Sequence, residues 1–168
     1  EGRQNPDLQL AAHYHLVRAL NRHGQHQEVI DLVDQIKDQL VETKQQDFRA
    51  ALVVGSISGI ELGNYPLAEQ LAAEYLATTP TGSKVTDAIA AHAVAVSHQN
   101  RPGEAESDLQ SLLKTHSENP QTWMAILQCA EAFWQQSNFA VAGRFFELAS
   151  SDAAEVQTKN AGLSGAGW

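Results

Sequence analysis

The stretch GNYPLAEQLAAEYLATTP, residues 63–80, has the order of features expected of a turn followed by a helix. It begins with Gly63, continues with the aromatic Tyr65 and the small Ala68, and closes with Pro80. Glycine permits the left-handed backbone of a tight turn, and proline cannot continue a helix. The stretch therefore predicts one half of a helical hairpin that ends before Pro80.

The pattern recurs along the chain. Segments that align on the turn begin at Gly24, Gly63, Asn100 and Ser137, and their starts are separated by 39, 37 and 37 residues. They read GQHQEVIDLVDQI, GNYPLAEQLAAEY, NRPGEAESDLQSLL and SNFAVAGRFFELA. Near-equal periods of this size are typical of stacked helical repeats.

Apolar residues on both sides of each turn follow helical periodicity. Before the first turn, Leu20 follows Leu16 by four residues and Val17 by three. After the turn, Val33 follows Val29 by four residues. No stretch alternates apolar and polar residues with period two, so we expect no sheet. The pattern predicts an all-α fold of antiparallel helix pairs.

The small residues resemble those of the tetratricopeptide repeat family. The position five after each turn holds Val29, Ala68, Ala105 and Ala142, and the first helix of each pair carries Val17, Ser56, Ala93 and Ala130. An aromatic residue follows two of the turns, at Tyr65 and Phe139, whereas His26 and Pro102 stand at the other two. The resemblance implies a right-handed superhelical α-solenoid whose first helices line the concave side.

In this frame the chain is one repeat domain. We expect hairpins at residues 7–41, 47–80, 84–118 and 120–150, and part of a fifth helix at residues 153–168. Leu163 lies 37 residues after Ile126, and Gly167 lies 37 residues after Ala130, so the tail continues the repeat register. We interpret the chain as an excerpt of a longer protein.

Composition narrows the classes of partner. Twenty acidic residues against eleven Lys and Arg give a net charge of −9, which is unfavourable for binding nucleic acid or anionic lipid. No apolar run has the length of a transmembrane span, so we expect no membrane insertion. No signal peptide is visible, and a soluble protein of the cytoplasm or the periplasm is compatible with the sequence. The single cysteine, Cys129, excludes an internal disulfide and is expected in the core.

The sequence offers no pattern typical of catalysis, of a cofactor or of a metal. None of the seven histidines is four residues from another on a helix, and His92 is expected to be a hydrogen-bonded core residue. The segment GSISG, residues 55–59, has Ile57 where a nucleophile elbow needs serine. We expect Gly55 and Gly59 instead to allow close approach of helices. The sequence therefore predicts a protein that is not an enzyme.

The resemblance implies binding of a peptide or helical segment of a partner protein on the concave face. Two alternatives remain: a structural spacer or self-association module, and the regulatory arm of an enzyme whose catalytic domain lies outside this chain. Exposure of Ile57, Ile60 and Trp134 would favour the groove, and their burial would favour the spacer. The predicted lining residues are Tyr14, Arg18, Asn21, Arg22, Val53, Ile57, Ile60, Val94, Leu127, Glu131 and Trp134.

Overall fold

A computed structural model describes residues 6–43, 45–82 and 84–150. In these ranges the protein is all-α and contains no strand, as the sequence predicts. The predicted fifth helix, residues 153–168, lies outside the described residues. The helices are α1 (Pro6–Arg22), α2 (His26–Glu42), α3 (Gln46–Glu61), α4 (Tyr65–Ala77), α5 (Lys84–His98), α6 (Pro102–His116), α7 (Pro120–Gln135) and α8 (139–150).

The turns within the four helix pairs share one backbone geometry. Gly24, Gly63, Asn100 and Ser137 all adopt the left-handed conformation, with φ of 70°, 70°, 57° and 61°. In each turn the next amide donates to the carbonyl five residues earlier, which closes the preceding helix. These bonds run from Gln25 to Leu20, from Asn64 to Gly59, from Arg101 to Val96 and from Asn138 to Phe133. The alignment of the repeats on this turn is confirmed.

The segments that connect one helix pair to the next contain residues that start or end helices. The side chain of Asn119 accepts a hydrogen bond from the Gln121 amide at 2.9 Å, and Pro120 occupies the first turn of α7, where no amide is needed. The helix of the quoted stretch ends at Ala77, and Thr79 then turns with a φ of 50° before Pro80. Both ends lie where the sequence predicts a break.

The helices pack in a repeating order. Each helix from α1 to α6 contacts the next one along the chain, and α1, α3, α5 and α7 also contact one another in series. The residue five after each turn is fully buried in all four pairs, and so is the small residue of each first helix. These buried residues are Val17, Val29, Ser56, Ala68, Ala93, Ala105, Ala130 and Ala142.

Glycine brings α3 close to the backbone of α4. A Cβ atom built on Gly59 would lie 3.1 Å from the Ala68 Cβ and 3.2 Å from the Ala68 nitrogen. One turn earlier, Ser56 Oγ donates to the Ala68 carbonyl at 2.7 Å. The prediction that the glycine-rich segment allows close approach is confirmed.

Among the described residues, the buried apolar side chains form two clusters. One lies among α1 to α4 together with Ala88 of α5 and includes Leu40, Leu52 and Tyr75, and the other lies among α5 to α8 and includes Leu109 and Phe133. Cys129 is buried in the second cluster, and this burial raises the pKa of its thiol to about 12. The burial confirms the prediction that Cys129 is a core residue, and the raised pKa keeps its thiol protonated near neutral pH.

Candidate binding surface

A recess of about 420 Å³ lies where α1, α3 and the start of α5 meet. We call it the inner recess, because three odd-numbered helices contribute to it. Its volume is within the range of ordinary ligand pockets. The residues that line it are Tyr14, Arg18, Gln46, Asp47, Ala50, Val54, Tyr75, Thr81, Gly82 and Lys84.

Arg18 is the cation available in the inner recess. Its guanidinium carbon lies 5.6 Å from the ring centroid of Tyr14, a cation–π contact one turn along α1. The side chain is exposed and forms no ion pair with another described residue. Lys84, by contrast, is paired, with Nζ 2.6 Å from Asp87 Oδ2. Arg18 can therefore bind a ligand without breaking an ion pair to any residue of the described ranges.

The rest of the lining of the inner recess combines apolar, polar and charged groups. Ala50 and Tyr75 are buried, and Val54 is half-buried, so the recess has an apolar floor. Burial, together with the carboxylates of Asp87 and Asp47, raises the pKa of Tyr75. Its hydroxyl is therefore protonated at neutral pH and can donate a hydrogen bond. A ligand with an apolar body and one carboxylate could contact the apolar floor and Arg18, whereas the exposed carboxylate of Asp47, which also lines the recess, opposes any further negative charge.

The predicted residues of α1 divide between the recess and its surroundings. Tyr14 and Arg18 line the recess. Arg22 is exposed one turn further along α1, outside it. Asn21 accepts a hydrogen bond from Ser58 Oγ at 3.2 Å and so connects α1 to α3.

The middle of the predicted lining is packed rather than open. Val53 is 1% exposed and Val94 is 3% exposed, so their assignment to an open groove is wrong. Ile57 and Ile60 are half-buried and pack against the two core clusters. The reason is the contact between neighbouring odd-numbered helices, of α3 with α1 and α5 and of α5 with α7.

The α7 end of the predicted lining is exposed. Leu127 is 42% exposed, Trp134 is 57% exposed, and Glu131 is also exposed. The ring centroids of Trp134 and Phe139 lie 4.8 Å apart, and the two rings meet edge to face. The structure thus separates the predicted residues into the recess, a packed middle and an exposed end, and does not bring them together into one groove.

Sequence reasoning missed several recess residues at the starts of helices. Asp47 and Lys84 lie in the first turns of α3 and α5, 37 residues apart, so they occupy one position of the repeat. Tyr75 comes from the last turns of α4. Asp47 and Lys84 could have been predicted from their equivalent positions in two successive repeats, because equivalent residues of stacked repeats lie side by side.

The histidines that pack against neighbours have structural contacts. His92 Nδ1 lies 2.6 Å from Asp108 Oδ2, which confirms its prediction as a hydrogen-bonded residue, and His26 Nδ1 lies 3.3 Å from Ser58 Oγ. The ring of His98 stacks on Tyr65 with centroids 4.0 Å apart. Within residues 6–43, 45–82 and 84–150, no three His, Cys, Asp or Glu side chains form a group that could hold a metal ion.

Comparison of the chain with protein-family models gives no match, and comparisons with curated proteins and with solved structures give no significant match. None of the described helices combines the length and the apolar content needed to cross a membrane.

Proposed function

We propose that this protein is a non-catalytic scaffold of the tetratricopeptide-like, superhelical type, and that it binds a protein segment in the inner recess. The observation that carries the proposal is the exposed guanidinium of Arg18, held over Tyr14 at the edge of a recess of about 420 Å³. Arg18 forms no ion pair with the described residues, so it is available to a ligand.

The repeat geometry supports the superhelical architecture. The turns within the pairs share left-handed residues at intervals of 39, 37 and 37. Odd-numbered helices contact one another in series, which is the order of contacts expected of a stacked array. In such an array the inner face is built by consecutive first helices, and the recess lies among α1, α3 and α5.

The recess favours a segment that presents one carboxylate beside apolar side chains. A guanidinium can donate two parallel hydrogen bonds to a carboxylate, and the apolar floor would cover neighbouring side chains of the ligand. A run of acidic residues is disfavoured, because the chain carries a net charge of −9 and Lys84 is already paired with Asp87. The C-terminal end of a peptide, or a single Asp or Glu, fits this requirement.

The test uses a display library of random 12-residue peptides, selected on the whole chain. Enriched peptides are synthesised with a fluorophore, and their affinities for the wild type and for Arg18→Ala are measured by fluorescence anisotropy. We expect Arg18→Ala to weaken binding by about tenfold or more, the scale of a lost hydrogen bond to a charged group. Thermal unfolding of the variant should match that of the wild type, since Arg18 is exposed.

Arg22→Ala is the matched control. It removes the same charge from the same helix, one turn away and outside the recess. We expect its affinity for the selected peptides to stay within about twofold of the wild type, because exposed charges at this distance are largely screened. Equal losses in both variants would show that only net charge matters and would refute the recess as the site.

The spacer or self-association module remains the second candidate. It is favoured by the burial of Val53 and Val94 and by the half-burial of Ile57 and Ile60, since these residues serve contacts between repeats. In that case the library would yield no peptide whose affinity depends on Arg18. The same experiment therefore separates the two candidates.

A further inference from the structure

The inner recess presents an anionic side chain as well as the cation of Arg18. Asp47, in the first turn of α3, lines the recess, is exposed and forms no ion pair with another described residue. Lys84 also lines the recess, but its Nζ lies 2.6 Å from Asp87 Oδ2. Arg18 and Asp47 are therefore the two charged groups of the lining that no described residue neutralises, and their charges have opposite signs.

Two ring contacts connect the helices that carry these charges. The guanidinium carbon of Arg18 lies 5.6 Å from the ring centroid of Tyr14. The Tyr14 ring in turn contacts the ring of Phe48, with centroids 5.9 Å apart, and Phe48 directly follows Asp47 in the chain. The two charges thus border one recess of about 420 Å³, and a short segment of a ligand can reach both.

Hydrogen bonds hold the first turn of α3 at the recess. Gln46 Nε2 donates to the Thr81 carbonyl at 3.2 Å, and Thr81 Oγ1 donates to Gln46 Oε1 at 3.4 Å. Both residues line the recess, and Asp47 is the next residue after Gln46. An acidic residue in a first turn stabilises the helix through its charge alone, so its oxygens stay available to accept hydrogen bonds from a ligand.

The charge of Asp47 also acts on the interior of the recess. Burial raises the pKa of Tyr75, and the carboxylates of Asp87 and Asp47 raise it further. A second negative group on a ligand would be repelled by the same carboxylates, whereas a positive group beside Asp47 would be attracted. The lining therefore favours a ligand that brings one charge of each sign.

We propose that the segment bound in the inner recess is dipolar: Arg18 binds its carboxylate, and Asp47 binds the side chain of a Lys or Arg in the same segment. This inference rests on the proposed function and names the second charged group of the ligand. The basic residue lies within about three residues of the carboxylate, since an extended chain advances by about 3.3 Å per residue. A chain with a net charge of −9 also attracts the positive part of such a segment.

The test uses the peptides selected on the whole chain from the random 12-residue library. We expect them to carry a Lys or Arg close to the carboxylate on which binding depends. Each peptide is synthesised with a fluorophore on its amino terminus in two forms, and in the second form glutamine replaces the Lys or Arg. For the wild type, the replacement should weaken binding by about three- to fivefold, the scale of an exposed ion pair.

Asp47→Asn should bind the two forms of each peptide equally, because the carboxylate that distinguishes them has been removed. The two forms are compared on the same variant, so any loss of stability in Asp47→Asn affects both equally. Glu61→Gln is the matched control: it neutralises an exposed carboxylate of the same helix, outside the recess. This variant should distinguish the two peptide forms as the wild type does.

The outcomes separate this inference from the proposed function. Peptides that depend on Arg18 but bind equally well in both forms would overturn the inference and leave the recess as a binding site. Equal effects of Asp47→Asn and Glu61→Gln would show that only net charge matters and would also overturn it. A selection without any peptide that depends on Arg18 would refute the proposed function, and the dipolar ligand with it.

Discussion

At the residue scale, the absence of a side chain at Gly59 sets the distance between α3 and α4. A Cβ atom there would approach the Cβ, nitrogen and Cα of Ala68 to 3.1, 3.2 and 3.3 Å. Two of these atoms belong to the backbone, which cannot rotate away as a flexible side chain can. Ala68 is itself fully buried, so the contact lies inside the core of the repeat.

Gly59→Ala should therefore destabilise the protein. Alanine is the better helix former by about 1 kcal/mol, but overpacking against a backbone typically costs about 1–3 kcal/mol, so we expect a net loss of stability. The free energy of unfolding is measured by urea denaturation. Gly143→Ala is the control: no atom lies within 4 Å of its Cβ position, and the variant should gain about 0.5–1 kcal/mol. A more stable Gly59→Ala would contradict the close approach.

The same segment shows where residue-level prediction succeeds and where it ends. Glycine and serine at residues 55, 56 and 59 predicted a close helix contact, because small residues are needed wherever backbones approach. Ile57, between them, was expected to face an open groove but is half-buried. Its position on α3 was evident from periodicity, whereas its packing against a core cluster built by several helices depends on residues that are distant in the chain.

At the scale of helices, one charged pair connects α5 to α6. His92 Nδ1 lies 2.6 Å from Asp108 Oδ2, and this hydrogen bond raises the pKa of His92, partly offset by burial. Glu69 of α4 raises the pKa further, and Arg101 opposes it. Arg101 in turn pairs with Glu69 at 2.7 Å, and that contact lowers the pKa of Glu69. The pair thus belongs to a small charged network across α4, α5 and α6.

This pair should make stability depend on pH. Because the pKa of His92 is higher in the folded than in the unfolded protein, its contribution is fully present below the unfolded value near 6.5 and is lost as pH rises through the folded value. The unfolding free energy of the wild type should therefore fall by this contribution as the pH rises from about 6 to about 8. We expect this fall to be absent in His92→Gln. The measurement is urea denaturation at a series of pH values.

The control for this prediction is His23→Gln, which changes an exposed histidine in the first turn. It should retain the pH dependence of the wild type. Burial lowers the pKa of His98, and this shift acts in the opposite direction over the same range. The comparison is therefore between His92→Gln and the wild type, and identical pH profiles for the two would refute the prediction.

At the scale of the whole molecule, the buried apolar residues of the described ranges divide into a cluster of α1–α4, to which Ala88 of α5 also belongs, and a cluster of α5–α8. Contacts join each helix to its neighbours in the series, with α3·α5 and α4·α5 connecting the two halves. In proteins with this order of contacts, local stability depends on neighbouring repeats, and opening can be confined to part of the chain.

Leu109→Ala should loosen the α5–α8 half selectively. Leu109 is fully buried, and its truncation is expected to cost about 2–5 kcal/mol. Hydrogen exchange followed by mass spectrometry should show faster exchange in α5 to α8 than in α1 to α4. Leu40→Ala, which truncates a fully buried leucine of the other cluster, should give the reverse distribution. Equal acceleration along the whole chain in both variants would instead indicate one cooperative unit.

The sequence by itself determined the all-α class, the interval of 37 to 39 residues, the positions of the turns and the buried small positions. These features depend on groups close in the chain or on helices that follow each other directly. Only the tertiary structure decided that Val53 and Val94 are buried and that Leu127 is exposed. Leu127 occupies the same position in its repeat as Val53. The tertiary structure also decided that Tyr14 and Arg18 share a recess with Asp47 and Tyr75. The physical reason is that a helix face is open or covered according to the distance to a helix of another repeat, and that distance is set by the packing between repeats.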